Sequence, residues 1–133
     1  MNDKKVVEIK NLVKNYGAKD FQTRVLKGID LTIYQNDFIA VMGPSGSGKS
    51  TLLNILSTID QPTQGSVILD NKDITKVSNK ELSKLRRDKI GFVFQDYNLL
   101  DTMTLGDNIA LPLSLNGVSS TSCIQKTEEL SRI

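Results

Sequence analysis

The stretch that decides the fold is Gly43-Pro44-Ser45-Gly46-Ser47-Gly48-Lys49-Ser50, which matches the pattern G-x-x-x-x-G-K-[ST] of a phosphate-binding loop. Glycines let the backbone curl so that successive N–H groups converge on phosphate oxygens. Lys49 would then reach the β- and γ-phosphates, and the Ser50 hydroxyl would be a Mg²⁺ ligand. The alternative is a flexible Gly/Ser loop without a ligand.

The segments on either side of this loop fit a strand, loop and helix in that order. Residues 38–42 are a continuous apolar run, which predicts a strand covered on both faces in a parallel sheet. From Ser50 to Leu56 apolar residues recur at helical density, which predicts a helix whose positive end faces the loop. A further buried strand is predicted at 90–94.

The remaining elements follow from alternation, turns and caps. Additional strands are predicted at 6–9, 25–33 and 65–69, the last closed by a turn at 70–73. Ser78 followed by Glu81 is a capping box that opens a helix through about Arg87. Two more helices are predicted at 104–115 and 121–133, the second without a C-terminal cap. The basic run 84–89 is interpreted as a solvated helix end, with a partner site as the alternative.

Residue counts exclude several classes of function. The 133 residues contain no histidine, which excludes His-based acid–base catalysis, His metal ligands and hydrolase triads. Cys123 is the only cysteine, so neither an intramolecular disulfide nor a Cys-based zinc site can form. The net charge of +2 lacks the basic footprint of a nucleic-acid partner. The longest uncharged window, 108–125, is interrupted by Pro112 and Gly117 and predicts no membrane span.

The loop and its surroundings resemble one family of phosphate-loop proteins. The N-K-x-D pattern by which GTPases read the base is absent, because 71–74 and 79–82 both lack the final Asp. The loop continued by Thr51, Leu52 and Leu53 resembles the ATP-binding subunits of ABC transporters. The resemblance extends through the strings 11–16, 26–31, 60–67 and 86–95. The last of these, with 98–100 and 108–113, is most similar to the lipoprotein-release, macrolide-efflux and peptide-antibiotic export branch.

The resemblance assigns roles to individual residues. It implies that ATP and Mg²⁺ are the cofactors and that Tyr16 stacks on the adenine ring, a role that asks nothing of its phenol oxygen. Lys49 and Gln95 would be the catalytic residues, and Ser50 and Gln95 the Mg²⁺ ligands. Gln95 could instead simply be a polar residue that ends a strand, and Tyr16 a loop residue that covers apolar surface. The nucleotide-binding set is Tyr16, Gly43, Pro44, Ser45, Gly46, Ser47, Gly48, Lys49, Ser50 and Thr51.

The expected fold class is therefore α/β, an ABC-type P-loop domain. It would combine an antiparallel β part, a partial parallel core and the start of a helical subdomain. Residues 1–100 would form the β part and loop core, and 101–133 the start of the helical subdomain. The resemblance covers the N-terminal half of the family's domain, and the uncapped last helix favours a truncation.

The family's later motifs do not occur in this sequence. It has no signature loop, no Asp-Glu pair after an apolar strand and no switch histidine. The string 67–70 imitates such a strand but is interpreted as a strand and turn. Without these motifs we expect weak nucleotide binding and no turnover. A non-hydrolysing nucleotide-binding or regulatory protein and a small kinase-like NTPase remain as alternatives.

The resemblance also implies a setting for the intact protein. It would couple ATP binding and hydrolysis to export or extraction at a membrane, on the cytoplasmic face of the cell membrane. Its partners would be a membrane-spanning subunit, reached through the loop after Gln95, and a second ATP-binding subunit in a head-to-tail dimer.

Overall fold

A computed structural model describes residues 4–18 and 20–132. The described residues form two compact units, which divide between Gly91 and Phe92. In chain order the first unit contains β1 (Lys5–Tyr16), β2 (Thr23–Tyr34), α1 (Lys49–Leu56), β3 (Gln64–Leu69), β4 (Lys72–Asp73) and α2 (Asn79–Lys89). The second contains α3 (Leu105–Leu115) and α4 (Ser120–Leu130). Among the described residues no helix is long and apolar enough to cross a membrane.

The sheet of the first unit is antiparallel, with strand order β2-β1-β3-β4. β1 is longer than the strand predicted at 6–9. Its pairing with β2 shifts register between Ile9 and Leu12 and again before Val13. Asn11 has a φ of 47° at this bulge. A bulge breaks the alternation of inward and outward side chains, so periodicity alone did not reveal the full strand.

The core of the first unit lies between the sheet and the helices α1 and α2. Its side chains come from every strand except the short β4, together with both helices and the residue that follows β4. The buried members are Val7, Ile9, Leu12, Leu26, Leu52, Ile55, Val67, Ile74, Leu82 and Leu85. This packing fixes α1, and therefore the loop before it, against the sheet.

The turn between β3 and β4 confirms the interpretation of 67–70 as a strand and turn. Asp70 and Asn71 have φ values of 44° and 65°. Two successive residues with positive φ form the turn that matches the twist of a tight hairpin. Asp and Asn tolerate this conformation better than other residues with a Cβ.

Two predicted strands are wrong. Residues 38–42 and 90–94 form no strand in the described chain. Phe38 is 98% exposed and Val93 is 96% exposed, so neither segment is covered. An apolar run becomes a buried parallel strand only when strands on both sides complete its hydrogen bonds. The strand pairs among the described residues are all antiparallel pairs of β1 to β4, and none of them includes these segments. The expected partial parallel core is therefore not formed in the described part of the chain.

The four predicted helices are confirmed, and their ends differ slightly from the predicted ones. Ser78 and Glu81 form both hydrogen bonds of the capping box of α2, and Thr104 caps α3 in the same way with Asp107. The last helix, α4, ends at Leu130 and not at the chain end; the part of the prediction that fell on Ile133 lies outside the described residues. Within the second unit Cys123 is buried.

Candidate functional site

The predicted phosphate-binding loop lies between residue 42 and the start of α1. Gly46 and Gly48 have φ values of 77° and 94°, which only glycine adopts readily. A Cβ on Gly48 would lie 2.9 Å from Cδ2 of Leu26, so this glycine lets the loop pack closely on β2. A Cβ on Gly46 would meet nothing within 4 Å, so this part of the backbone faces open space. The loop is therefore anchored at its end and open at its middle.

Lys49 is held inside the curve of this loop. Its Nζ donates to the carbonyl oxygen of Gly43 at 2.9 Å and to that of Pro44 at 2.7 Å, and Oγ of Ser47 lies at 3.5 Å. The ammonium group therefore lies beside the loop backbone and does not extend into solvent. A cation in this position can exchange its bonds to carbonyl oxygens for bonds to the oxygens of a bound phosphate group.

The N-terminus of α1 has unsatisfied donors. Gly48 is the N-cap and provides no side-chain cap, and the first turn contains no acidic residue. The first helical hydrogen bond runs from the N–H of Leu52 to the carbonyl oxygen of Gly48. The N–H groups of Lys49, Ser50 and Thr51 precede that bond and have no acceptor within the helix. With the helix dipole they form an end that favours an anion.

Tyr16, the predicted adenine-stacking residue, lies at the end of β1 and is 42% exposed. Its hydroxyl donates to Oδ2 of Asp60 at 2.7 Å. Lys14 donates to Oδ1 of the same carboxylate at 2.6 Å, and its Nζ lies 4.8 Å from the centroid of the Tyr16 ring. The stacking role asks nothing of the phenol oxygen, but in the structure this oxygen anchors the side chain through its bond to Asp60.

The hydrogen bonds of this cluster shift the pKa values of Tyr16 and Asp60. The bond to Asp60 and partial burial raise the pKa of the Tyr16 phenol, and the hydroxyl of Thr51 offsets only part of this effect. Partial burial raises the pKa of Asp60, but the hydrogen bonds from Lys14, Tyr16 and the backbone of Gln61 outweigh it, so the pKa lies below its usual value. Asp60 is thus an ionised acceptor at neutral pH.

The structure brings most of the predicted site residues together. The loop, Lys49, Ser50 and Thr51 are contiguous, and Tyr16 is connected to α1 through Asp60, which accepts from the Tyr16 hydroxyl and donates its N–H to the carbonyl oxygen of Asn54. Gln95 belongs to the second unit, where it is exposed at a bend after Phe94. Sequence reasoning assigned no role to Lys14 or Asp60, although Asp60 stands in the string 60–67 that supports the family resemblance.

The basic run 84–89 is only partly the solvated helix end that was expected. Arg86 is half-buried, and its Nη1 donates to the carbonyl oxygen of Thr58 at 2.7 Å and to its hydroxyl at 3.1 Å. Thr58 lies in the turn that connects α1 to Asp60. One residue of the run therefore holds the end of the loop helix, while Lys84, Arg87 and Lys89 are exposed.

Comparison with known proteins decides the family. The sequence matches the ABC transporter family over residues 26–133. The chain belongs to the ABC transporter family. The structure superposes on that of the ATP-binding cassette MJ0796, a dimer bound to ADP and Pi, with a TM-score of 0.86 and 41% identity. This match covers 92% of this chain and 54% of the other. The predicted fold class, an ABC-type P-loop domain, is confirmed.

Two curated ABC transporter relatives show the branch. The bacitracin export ATP-binding protein BceA of Halalkalibacterium halodurans is 42% identical over 94% of this chain and 49% of its own length. The macrolide export ATP-binding/permease protein MacB of Marinobacter nauticus is 42% identical over 98% of this chain and 20% of its own length. The resemblance to the export branch is confirmed. The chain spans half or less of the length of these relatives.

Proposed function

We propose that this chain binds Mg-ATP and is the nucleotide-binding part of an ABC transporter ATPase. The observation that carries the proposal is the loop 43–50: an open, glycine-lined backbone, a lysine ammonium held within it and an uncapped helix N-terminus directed at the same place. These three features provide donors and positive charge for a chain of phosphates. Tyr16, which Asp60 connects to α1, adds an aromatic ring for the base.

Individual roles follow from the chemistry of each side chain. Lys49 would neutralise charge on the β- and γ-phosphates, and the backbone of 43–48 would orient them. The hydroxyl of Ser50 and the amide oxygen of Gln95 are neutral oxygen ligands of the kind that Mg²⁺ accepts. When bound, the metal ion would neutralise the phosphate charge that develops during hydrolysis.

The proposed setting is the cytoplasmic face of a cell membrane. The intact protein would dimerise head to tail, contact a membrane-spanning subunit through the loop after Gln95, and couple ATP hydrolysis to export or extraction of a substrate. The names of BceA and MacB, an export ATP-binding protein and an export permease, support export over uptake. The dimeric cassette that shares this fold supports the pairing of two ATP-binding subunits.

Calorimetric titration with Mg-ATP tests the proposal. Wild-type chain should bind measurably, even if weakly, and Lys49→Ala should lose this binding because it removes the ammonium within the loop. Lys80→Ala is the matched control, since Lys80 is exposed on α2 and its loss changes the net charge equally. Equal affinities of the Lys49 and Lys80 variants would contradict the assignment of the loop.

A further inference from the structure

The ring of Tyr16 is fixed by two residues outside the phosphate-binding loop. We propose that Asp60 and Lys14 are positioning residues that set this ring for stacking on the adenine base; this inference rests on the proposed binding of ATP. The hydroxyl of Tyr16 donates to one carboxylate oxygen of Asp60, and Lys14 donates to the other. The carboxylate of Asp60 therefore holds the side chains of both Tyr16 and Lys14 in place.

Asp60 is itself held by the end of the loop helix. Its backbone N–H donates to the carbonyl oxygen of Asn54 in α1 at 3.1 Å, and its Oδ1 accepts from the N–H of Gln61 at 2.7 Å. The carboxylate is therefore attached to the same helix whose N-terminus carries the phosphate-binding donors. A ring that hydrogen-bonds to this carboxylate keeps a fixed distance from the loop.

Lys14 decides which face of the ring is available. Its Nζ lies 4.8 Å from the ring centroid and also donates to the carbonyl oxygen of Gln61 at 2.7 Å. The Lys14 side chain is only 12% exposed, so it is packed in place and covers one face of the ring. Tyr16 as a whole is 42% exposed. A base can therefore stack only on the opposite face.

Fixing the ring before binding should raise the affinity for the base. An exposed tyrosine loses side-chain rotational freedom when a ligand immobilises it, and a side chain that is already fixed avoids this loss. Removing the hydrogen bond while keeping the ring should therefore weaken ATP binding by about threefold to tenfold. Removing the ring should weaken it more, by about fivefold to a hundredfold.

A merely structural cluster would behave differently from a positioning one. If Asp60 only stabilised the fold, its loss would weaken ATP and inorganic tripolyphosphate alike. A positioning role affects the base and not the phosphates. The decisive quantity is therefore the ratio of the affinity for Mg-ATP to the affinity for Mg-tripolyphosphate, measured by titration calorimetry on the full chain.

Three variants and one control make the measurement specific. Asp60→Ala and Tyr16→Phe should each lower the ratio by about threefold to tenfold. The double variant should have a ratio no lower than that of either single variant, because all three proteins lose the same hydrogen bond. Asp88→Ala removes an exposed carboxylate on α2 and should leave the ratio unchanged. Tyr16→Phe keeps the ring and removes only the hydroxyl, so it reports on the bond even if Asp60→Ala does not fold.

A second measurement needs no nucleotide. The chain has three tyrosines, so in a Tyr34→Phe, Tyr97→Phe background the ultraviolet titration reports Tyr16 alone. Its ionisation should occur above the usual range and move back toward it in Asp60→Ala. An unchanged titration would show that the bond is absent, which would overturn the positioning role.

The outcomes separate this inference from the proposed function. If wild-type chain binds no ATP, or if Lys49→Ala binds as well as wild type, the proposed function fails and the positioning role fails with it. If ATP binding depends on Lys49 but the ratio is unchanged in Tyr16→Phe, only the positioning role is overturned. A lower ratio with unchanged tripolyphosphate affinity supports both.

Discussion

Arg86 donates from one guanidinium nitrogen to both oxygens of Thr58, the carbonyl at 2.7 Å and the hydroxyl at 3.1 Å. Thr58 is buried and has a φ of 60°, which is unfavourable for a β-branched residue. The bond therefore stabilises a strained turn at the end of the loop helix.

Replacing Arg86 should destabilise the first unit. Arg86→Ala leaves the carbonyl oxygen of Thr58 buried without this donor, which should cost about 1 to 3 kcal/mol. Arg87→Ala is the control. Among the described residues the exposed Arg87 pairs only with its neighbour Asp88, so the substitution should change stability by less than about 0.5 kcal/mol. Urea unfolding followed by circular dichroism measures both. Equal losses in the two variants would contradict the role of Arg86.

The two inner glycines of the loop should respond differently to alanine. The Cβ added by Gly46→Ala meets open space, so only the unfavourable φ of 77° should lower the stability of the fold, by about 1 kcal/mol. Gly48→Ala adds a contact at 2.9 Å with Leu26, so it should cost about 2 to 3 kcal/mol. Urea unfolding midpoints compare them. A more stable Gly48→Ala than Gly46→Ala would show that the loop does not pack on β2.

The lowered pKa of Asp60 predicts a dependence of stability on acid. The usual value is 3.8 and the folded value lies below it. The ionised form is therefore favoured by folding, and this stabilisation is present above the usual value and lost as the pH falls through the folded value. Asp60→Asn should make the loss of stability between about pH 5 and pH 2 shallower than in wild type.

The control for this prediction is Asp88→Asn, which neutralises an exposed carboxylate on α2. Unfolding free energies of the three proteins, measured across the same pH series, provide the comparison. Other carboxylates also have lowered pKa values, but they are present in all three proteins, so the difference between the profiles reports Asp60. They are Glu8, Asp70, Asp73, Glu81 and Asp107. An Asp60→Asn profile parallel to that of wild type would refute the prediction.

The exposed apolar segment 38–42 should cause self-association. Phe38 is 98% exposed and Met42 is 88% exposed, on backbone whose hydrogen-bonding groups can pair with another strand. Phe38→Lys should therefore lower the apparent mass in size-exclusion chromatography at high protein concentration. Phe21→Lys is the matched control, since Phe21 is 87% exposed in the loop after β1. A monomeric wild-type chain at all concentrations would contradict this expectation.

The sequence correctly predicted the features that depend on residues close together along the chain. The loop 43–50, the helix after it and the capping box of Ser78 and Glu81 each depend on residues a few positions apart, so the sequence identifies them directly. The apolar runs 38–42 and 90–94 do not reveal which strands would pair with them. Strand formation depends on those distant partners, and this is why both predictions were wrong.

Long-range contacts in the site left no comparable signal. Tyr16 and Asp60 are 44 positions apart, and Arg86 and Thr58 are 28 apart. No periodicity or motif connects such pairs, because they meet only when α1 and the turn after it pack beside β1 and α2. The sequence could therefore suggest Tyr16 as a stacking residue but not the carboxylate that holds it.

The most direct test of the central claim, that the backbone of the loop binds the phosphates of a nucleotide, is amide chemical-shift mapping by NMR. On addition of Mg-ATP the largest shifts should occur at the N–H groups of 46–51, with smaller ones at Tyr16. In Lys49→Ala these shifts should disappear at the same nucleotide concentration, while in Lys80→Ala they should persist. Shifts that spare 46–51, or that survive unchanged in Lys49→Ala, would contradict the claim.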